Sequence, residues 1–141
     1  MFFHFAPRPL ILDKARNYAD DYDKDSGNIH TRAYGLWLSV DDAWKEWAES
    51  NRFPVGKLKY QVKFEEKNVL ILDSETKISE FYQKYKYKGW VDWIKVSNEF
   101  SGIVFNPYFY NLRRKYLWYS GIDVPSACIW DLSIIGSVEL V

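Results

Sequence analysis

The chain has 141 residues, 48% apolar and 27% charged, with 19 basic and 19 acidic side chains. That is globular composition, enough for one cored domain over residues 1–141 and too short for two, and its zero net charge excludes a whole-molecule field for nucleic acid or anionic membrane. A lone cysteine, Cys128, excludes internal disulfides and cysteine-based zinc sites, the two histidines form no zinc-binding pair, and no apolar run nears the roughly 20 residues that cross a bilayer.

Phe2 to Ala6 is apolar and bounded by Pro7 and Pro9, so it reads as a first strand. No basic region precedes it, which predicts no secretory signal and, with the single thiol, a cytoplasmic protein. Leu10, Ala15 and Tyr18 have partly helical spacing. Asp20 to Asn28 is rich in Asp, Lys, Ser and Gly and reads as a surface loop. Tyr34 to Leu38 is the second strand, and Ser39 follows as a helix cap, with Asp42 placed for a capping box. Val40, Ala43, Trp44, Trp47 and Ala48 then share one helical face.

Leu58, Tyr60, Val62 and Phe64 alternate with polar residues, the pattern of a half-buried strand. Val69 to Leu72 reads as another strand. Asp73 or Ser74 caps a helix that buries Ile78, Phe81, Tyr82 and Tyr85. The lysines of Lys84-Tyr85-Lys86-Tyr87-Lys88 suit a helix C-terminus, and their alternation with rings also suits single-stranded nucleic acid. A short helix is expected over 90–100, a strand over Gly102 to Phe105, and a helix from Asn106-Pro107 to Tyr119 that stops at Gly121. Ala127 to Trp130 and Ile134 to Leu140 are late strands. Mixed strands and helices with few parallel signals predict an α+β fold on an antiparallel or mixed sheet with packed helices.

The residues that suggest chemistry fall in three places. His4 lies between Phe3 and Phe5 and points to the opposite face from those rings, into a cleft or onto a backbone carbonyl. Trp37, Ser39 and Trp44 surround the strand-to-helix junction, where backbone N–H groups, a hydroxyl and flat rings meet. Asn106 and Asp131 close two late strands; Asn106 also reads as a helix cap and Asp131 as a turn residue.

Taken in order, His4, Gly35-Leu36-Trp37-Leu38-Ser39 before a helix, and the late strands at 101–106 and 127–131 resemble the ADP-ribosyltransferase fold. That is the NAD-binding α+β domain of diphtheria-type toxins and poly-ADP-ribose polymerases, and the likeness is to small prokaryotic and phage versions. The resemblance implies an NAD-binding cleft and transfer of ADP-ribose to a protein or nucleic-acid acceptor. It implies that His4 holds the nicotinamide-side ribose, that Ser39 lies by the nicotinamide, and that Trp37 or Trp44 walls the pocket with Asn106 nearby. The family's third motif is a glutamate that stabilises the positive charge developing on the ribose. Here Val104 and Asn106 are not acidic, Asp131 is one carbon shorter, and Glu139 lies further on. The alternative is a non-catalytic nucleotide-binding module, or a protein-interaction module of the phage-inhibitor kind that meets a host target.

Overall fold

The computed structural model describes residues 1–22 and 30–141. The loop expected over 20–28 lies, from residue 23 on, outside the described residues. The strands are β1 (Phe2–Ala6), β2 (Leu36–Val40), β3 (Leu58–Phe64), β4 (Val69–Leu72), β5 (Lys86–Tyr87), β6 (Trp90–Val91), β7 (Gly102–Phe105), β8 (Ser126–Ile129) and β9 (Ile135–Leu140). The helices are α1 (Ala43–Ser50), α2 (Glu75–Tyr85) and α3 (Trp93–Glu99). Seven strands form one sheet in the order β4-β7-β8-β2-β1-β3-β9, and β5 and β6 form a hairpin. Among the described residues only β4 and β7 pair in parallel, so the fold is α+β on a mixed sheet. Among the described residues no helix is long and apolar enough to cross a membrane.

Alternation sends the two faces of the sheet to different cores. Leu36, Leu38, Tyr60, Val62, Ala127 and Ile129 pack on one face, with Leu132 and Ile135. Ile103, Phe105 and Cys128 pack on the other, under α2, α3 and the aromatic segment that ends near Ile122. Trp118 is the hub of that second core. It is 1% exposed, and the rings of Phe81, Tyr119 and Trp93 lie 5.5, 5.5 and 6.3 Å from it. This layer covers the β4-β7-β8 side. Toward β3 and β9 the same face carries Lys59, Gln61, Lys63 and Glu139 and stays polar.

Several expectations hold. The alternating run is β3, and Ser74 Oγ caps α2 by accepting from Lys77 N at 3.2 Å. Others need correction. The segment from Leu10 is not helical. It is tied by Tyr60, whose hydroxyl accepts from Leu10 N at 3.0 Å, and ends in a single 3₁₀ turn, Tyr18–Asp21. The helix expected over 90–100 begins only at Trp93, because Trp90–Val91 pairs with Lys86–Tyr87. Lys88 and Gly89 make that hairpin's turn, with φ of 51° and 84°, the left-handed pair that suits strand twist. No helix follows Asn106-Pro107, whose peptide bond is cis. The segment makes 3₁₀ turns at Tyr110–Arg113 and Tyr119–Gly121 instead. Most of its rings are buried or packed on the core, Tyr110 excepted, and Tyr119 turns the chain by accepting from Phe109 N at 2.9 Å and stacking on Tyr108.

Burial raises the phenol pKa of Tyr22, Tyr108 and Tyr119 and the thiol pKa of Cys128. Burial, together with a hydrogen bond to Glu99, does the same for Tyr85. As pH rises, the unfolded chain therefore releases these protons before the folded one does. Their contribution to stability is full below the ordinary thiol value of 9.0 and declines above it, through the phenol value of 10.0. Melting temperature is expected to fall steadily between pH 8.5 and 10.5. A flat profile would count against the burial of these groups.

Candidate functional site

The cleft begins where two central strands part. β1 pairs with β3 over five residues, Phe2 to Ala6, but with β2 over only two, Phe2–Val40 and Phe3–Ser39. Beyond Ser39 the β1–β2 ladder ends. His4 spans the gap, with its Nδ1 3.0 Å from the Trp37 carbonyl oxygen. That contact with a backbone carbonyl fixes the ring, and when Nδ1 carries the proton, Nε2 is left as the acceptor.

One row of paired residues runs across the floor: Phe3 on β1, Ser39 on β2 and Ser126 on β8. Phe5 and Trp37 stand beside it on the same face. The helical layer does not extend over these strands, so the floor stays open. The walls come from Tyr18, from residues 31–35 and from residues 121–124, with Trp44 at the start of α1. The cleft has a volume of about 750 Å³ and is open to solvent on one side.

Ser39 has a structural task here. Its Oγ accepts from Trp44 N at 2.9 Å and donates to the Asp41 carbonyl at 3.0 Å. It thus caps α1 from the end of the strand. The expected capping box is absent, since the Asp42 side chain makes no cap hydrogen bond. Asp42 pairs with Lys59 Nζ at 2.8 Å, and this bond holds its carboxyl below the usual carboxylate range. Lys59 in turn lies 4.2 Å from the centre of the Phe3 ring. The pair ties the start of α1 to the floor and so places Trp44 at the cleft wall. Trp44 stacks on Trp47 at 5.2 Å, and Trp47 contacts Phe53, which is 55% exposed.

Of the six residues singled out in the sequence, His4, Trp37, Ser39 and Trp44 meet in this cleft. Asp131 and Asn106 are not among its lining residues. Asp131 caps the 3₁₀ turn Leu132–Ile134, and its Oδ1 accepts from Ser133 N at 3.1 Å and Ser133 Oγ at 2.7 Å. It is the turn residue its alternative reading described. Asn106 is exposed and caps no helix. Glu139 sits on the edge strand β9 opposite Gln61, away from the cleft.

Three charged residues that the sequence did not single out do line it: Asp21, Arg32 and Asp123. Asp21 is tied to Arg16. Asp123 faces Arg113 at 3.7 Å, a long contact that leaves the carboxylate less committed than Asp131. Asp123 lies three residues before Ser126, the direct partner of Ser39, so it sits at the serine end of the floor. Among the described residues no cluster of three His, Cys, Asp or Glu side chains is arranged to hold a metal ion.

The cleft thus offers planar rings for stacking, hydroxyls and an imidazole for a sugar, a guanidinium for a phosphate and two carboxylates. Cys128, opposite Trp37 on the same face, is fully buried beneath the aromatic layer with its thiol pKa raised, and is inert there. Comparison with protein-family models, with curated proteins and with solved structures finds no match for this chain.

Proposed function

We propose that the cleft binds NAD or a closely related nucleotide, on a fold of the ADP-ribosyltransferase type. The observation that supports this most is the convergence of His4, Trp37, Ser39 and Trp44, from three separate elements, in one cleft of about 750 Å³. That volume lies in the ordinary range for small-molecule sites, roughly 300–1,000 Å³. Trp37 and Trp44 suit a planar base, His4 and the serine row suit a ribose, and Arg32 suits a phosphate.

Titrating NAD, ADP-ribose and cyclic nucleotides while following tryptophan fluorescence tests the reading, because two indoles line the cleft. Trp44→Ala is expected to weaken NAD binding about 5- to 150-fold, since stacking a base on an aromatic ring contributes roughly 1–3 kcal/mol. Its ring is only half-buried, so the melting temperature is expected to move little. If no nucleotide changes the fluorescence or gives heat in calorimetry, nucleotide binding is discarded. The protein-interaction reading then takes over, with Trp47 and Phe53 as anchors for a host protein.

The second reading is transfer of ADP-ribose to a protein or nucleic-acid acceptor. Asp131 carries no part of it. What favours it is Asp123, a carboxylate in the same cleft as His4 and Ser39. A negative charge there would stabilise the ribose cation as the nicotinamide bond breaks. NAD binding without release of nicotinamide favours the non-catalytic alternative.

A further inference from the structure

The sequence hides a charge separation behind its zero sum. Between residues 80 and 118 there are seven Lys and Arg against three Asp and Glu, a net +4 offset by the rest of the chain. Of these cations the cleft engages only Arg113, through Asp123.

The fold gathers several of the others on tyrosine rings. Lys84 on α2 and Lys95 on α3 both lie over Tyr85, 5.2 and 5.6 Å from the ring centre. Lys115 lies 5.4 Å from the centre of Tyr116, and that ring packs 5.1 Å from Tyr82, one helical turn before Tyr85. Lys88, at the hairpin turn, lies 5.3 Å from the centre of Tyr87. All four lysines are exposed, and the ion pairs found among the described residues use other cations. The hairpin matters here. A plain helix end would spread Lys84, Lys86 and Lys88 around the axis, whereas β5 and its turn carry Tyr87 and Lys88 out beyond α2.

We infer that this surface binds single-stranded nucleic acid. Exposed lysines suit a phosphate backbone. Tyr85 and Tyr116 are buried and only anchor the lysines above them, whereas the half-buried rings of Tyr82 and Tyr87 suit unpaired bases. A duplex hides its base faces, while an acidic protein or an anionic membrane would use the lysines without the tyrosines. The surface is built from α2, the hairpin, α3 and the segment around Lys115. It shares no residue with the cleft and does not depend on the NAD reading.

The test uses the full chain and a fluorescein-labelled twelve-nucleotide dT strand, with anisotropy read at 50–200 mM salt. The strand is expected to bind more tightly than a twelve-pair duplex, with a log–log salt slope of about −3, as four phosphate contacts would give. Replacing Lys84, Lys88, Lys95 and Lys115 together by Gln is expected to weaken binding at least ten-fold. Tyr87→Ala is expected to weaken it several-fold without changing the salt slope. A thermal melt of each variant separates loss of the surface from loss of the fold. The proposal is overturned if the strand does not bind at 50 mM salt, if folded Lys→Gln protein binds as before, or if the duplex, polyglutamate or phosphatidylserine vesicles compete for the protein better than the strand does.

Discussion

Gly56→Ala is expected to destabilise the protein by about 3 kcal/mol or more, and to lower its melting temperature by roughly 10 °C. A Cβ at Gly56 would meet the carbonyl carbon of Ala6 at 2.2 Å, and its Cα and N at 2.6 Å. These are backbone atoms, so no rotamer change relieves the overlap. Either the loop before β3 lifts off, or the end of β1 shifts. Ala6 is the last residue of β1, paired with Leu58, and is itself buried. The same displacement would move His4, two residues earlier, off the Trp37 carbonyl. The substitution should therefore harm nucleotide binding as well as stability. Gly136→Ala is the control: its nearest neighbour would be the Lys63 carbonyl at 3.7 Å, an ordinary contact. Thermal melts of both variants check the expectation, and similar melting temperatures would sink it.

What could be read from the sequence was what local pattern controls. The alternation of Leu58 to Phe64 survives because one face is buried and the other is wet. Ser74 and Ser39 could be read as caps because a hydroxyl at a helix start has few other partners. Ser39 caps from within β2 rather than from the position next to α1, and this left Asp42 free to pair with Lys59. The segment after Asn106 misled because its signals were local and its outcome was not. A cap-and-proline start is outweighed when five of the six rings between 108 and 119, all but the exposed Tyr110, gain more from the Trp118 core than from a helix.

The candidate site divides along the same line. Trp37, Ser39 and Trp44 lie on regular elements, where periodicity says which way they point. His4 alternates to the face opposite Phe3 and Phe5, yet those two rings line the same cleft, so its place there comes from the gap where the β1–β2 ladder ends rather than from alternation. Arg32 and Asp123 lie in connections with no period, and no local signal marks them. Asp123 becomes visible only through the pairing of Ser39 with Ser126, which are far apart in sequence. Asp131 attracted notice because it ends a late strand. A strand end is also where a turn needs an aspartate, and Ser133 supplies both donors that satisfy it.

On the transfer reading, Asp123→Asn is expected to lower nicotinamide release from NAD by about 10²- to 10³-fold while changing NAD affinity only a few-fold. The magnitude is that of removing one preorganised electrostatic contact to a charge that exists only in the transition state, roughly 3–4 kcal/mol. Asparagine keeps the shape and the hydrogen-bonding oxygen and removes the charge. Affinity changes less than rate because in ground-state NAD the positive charge sits on the nicotinamide ring, and it moves onto the ribose only as the bond breaks. The Arg113 contact is long and partly exposed, so its loss is expected to affect stability by less than about 1 kcal/mol. Asp131→Asn is the matched control, and it is expected to leave release unchanged because that carboxylate serves the turn before β9. Single-turnover assays with nicotinamide-labelled NAD measure both variants. Equal loss in both would place the effect in stability rather than chemistry. Loss in Asp131→Asn alone would overturn the assignment of the cleft carboxylate, and no release from the wild-type chain despite NAD binding would establish the non-catalytic alternative.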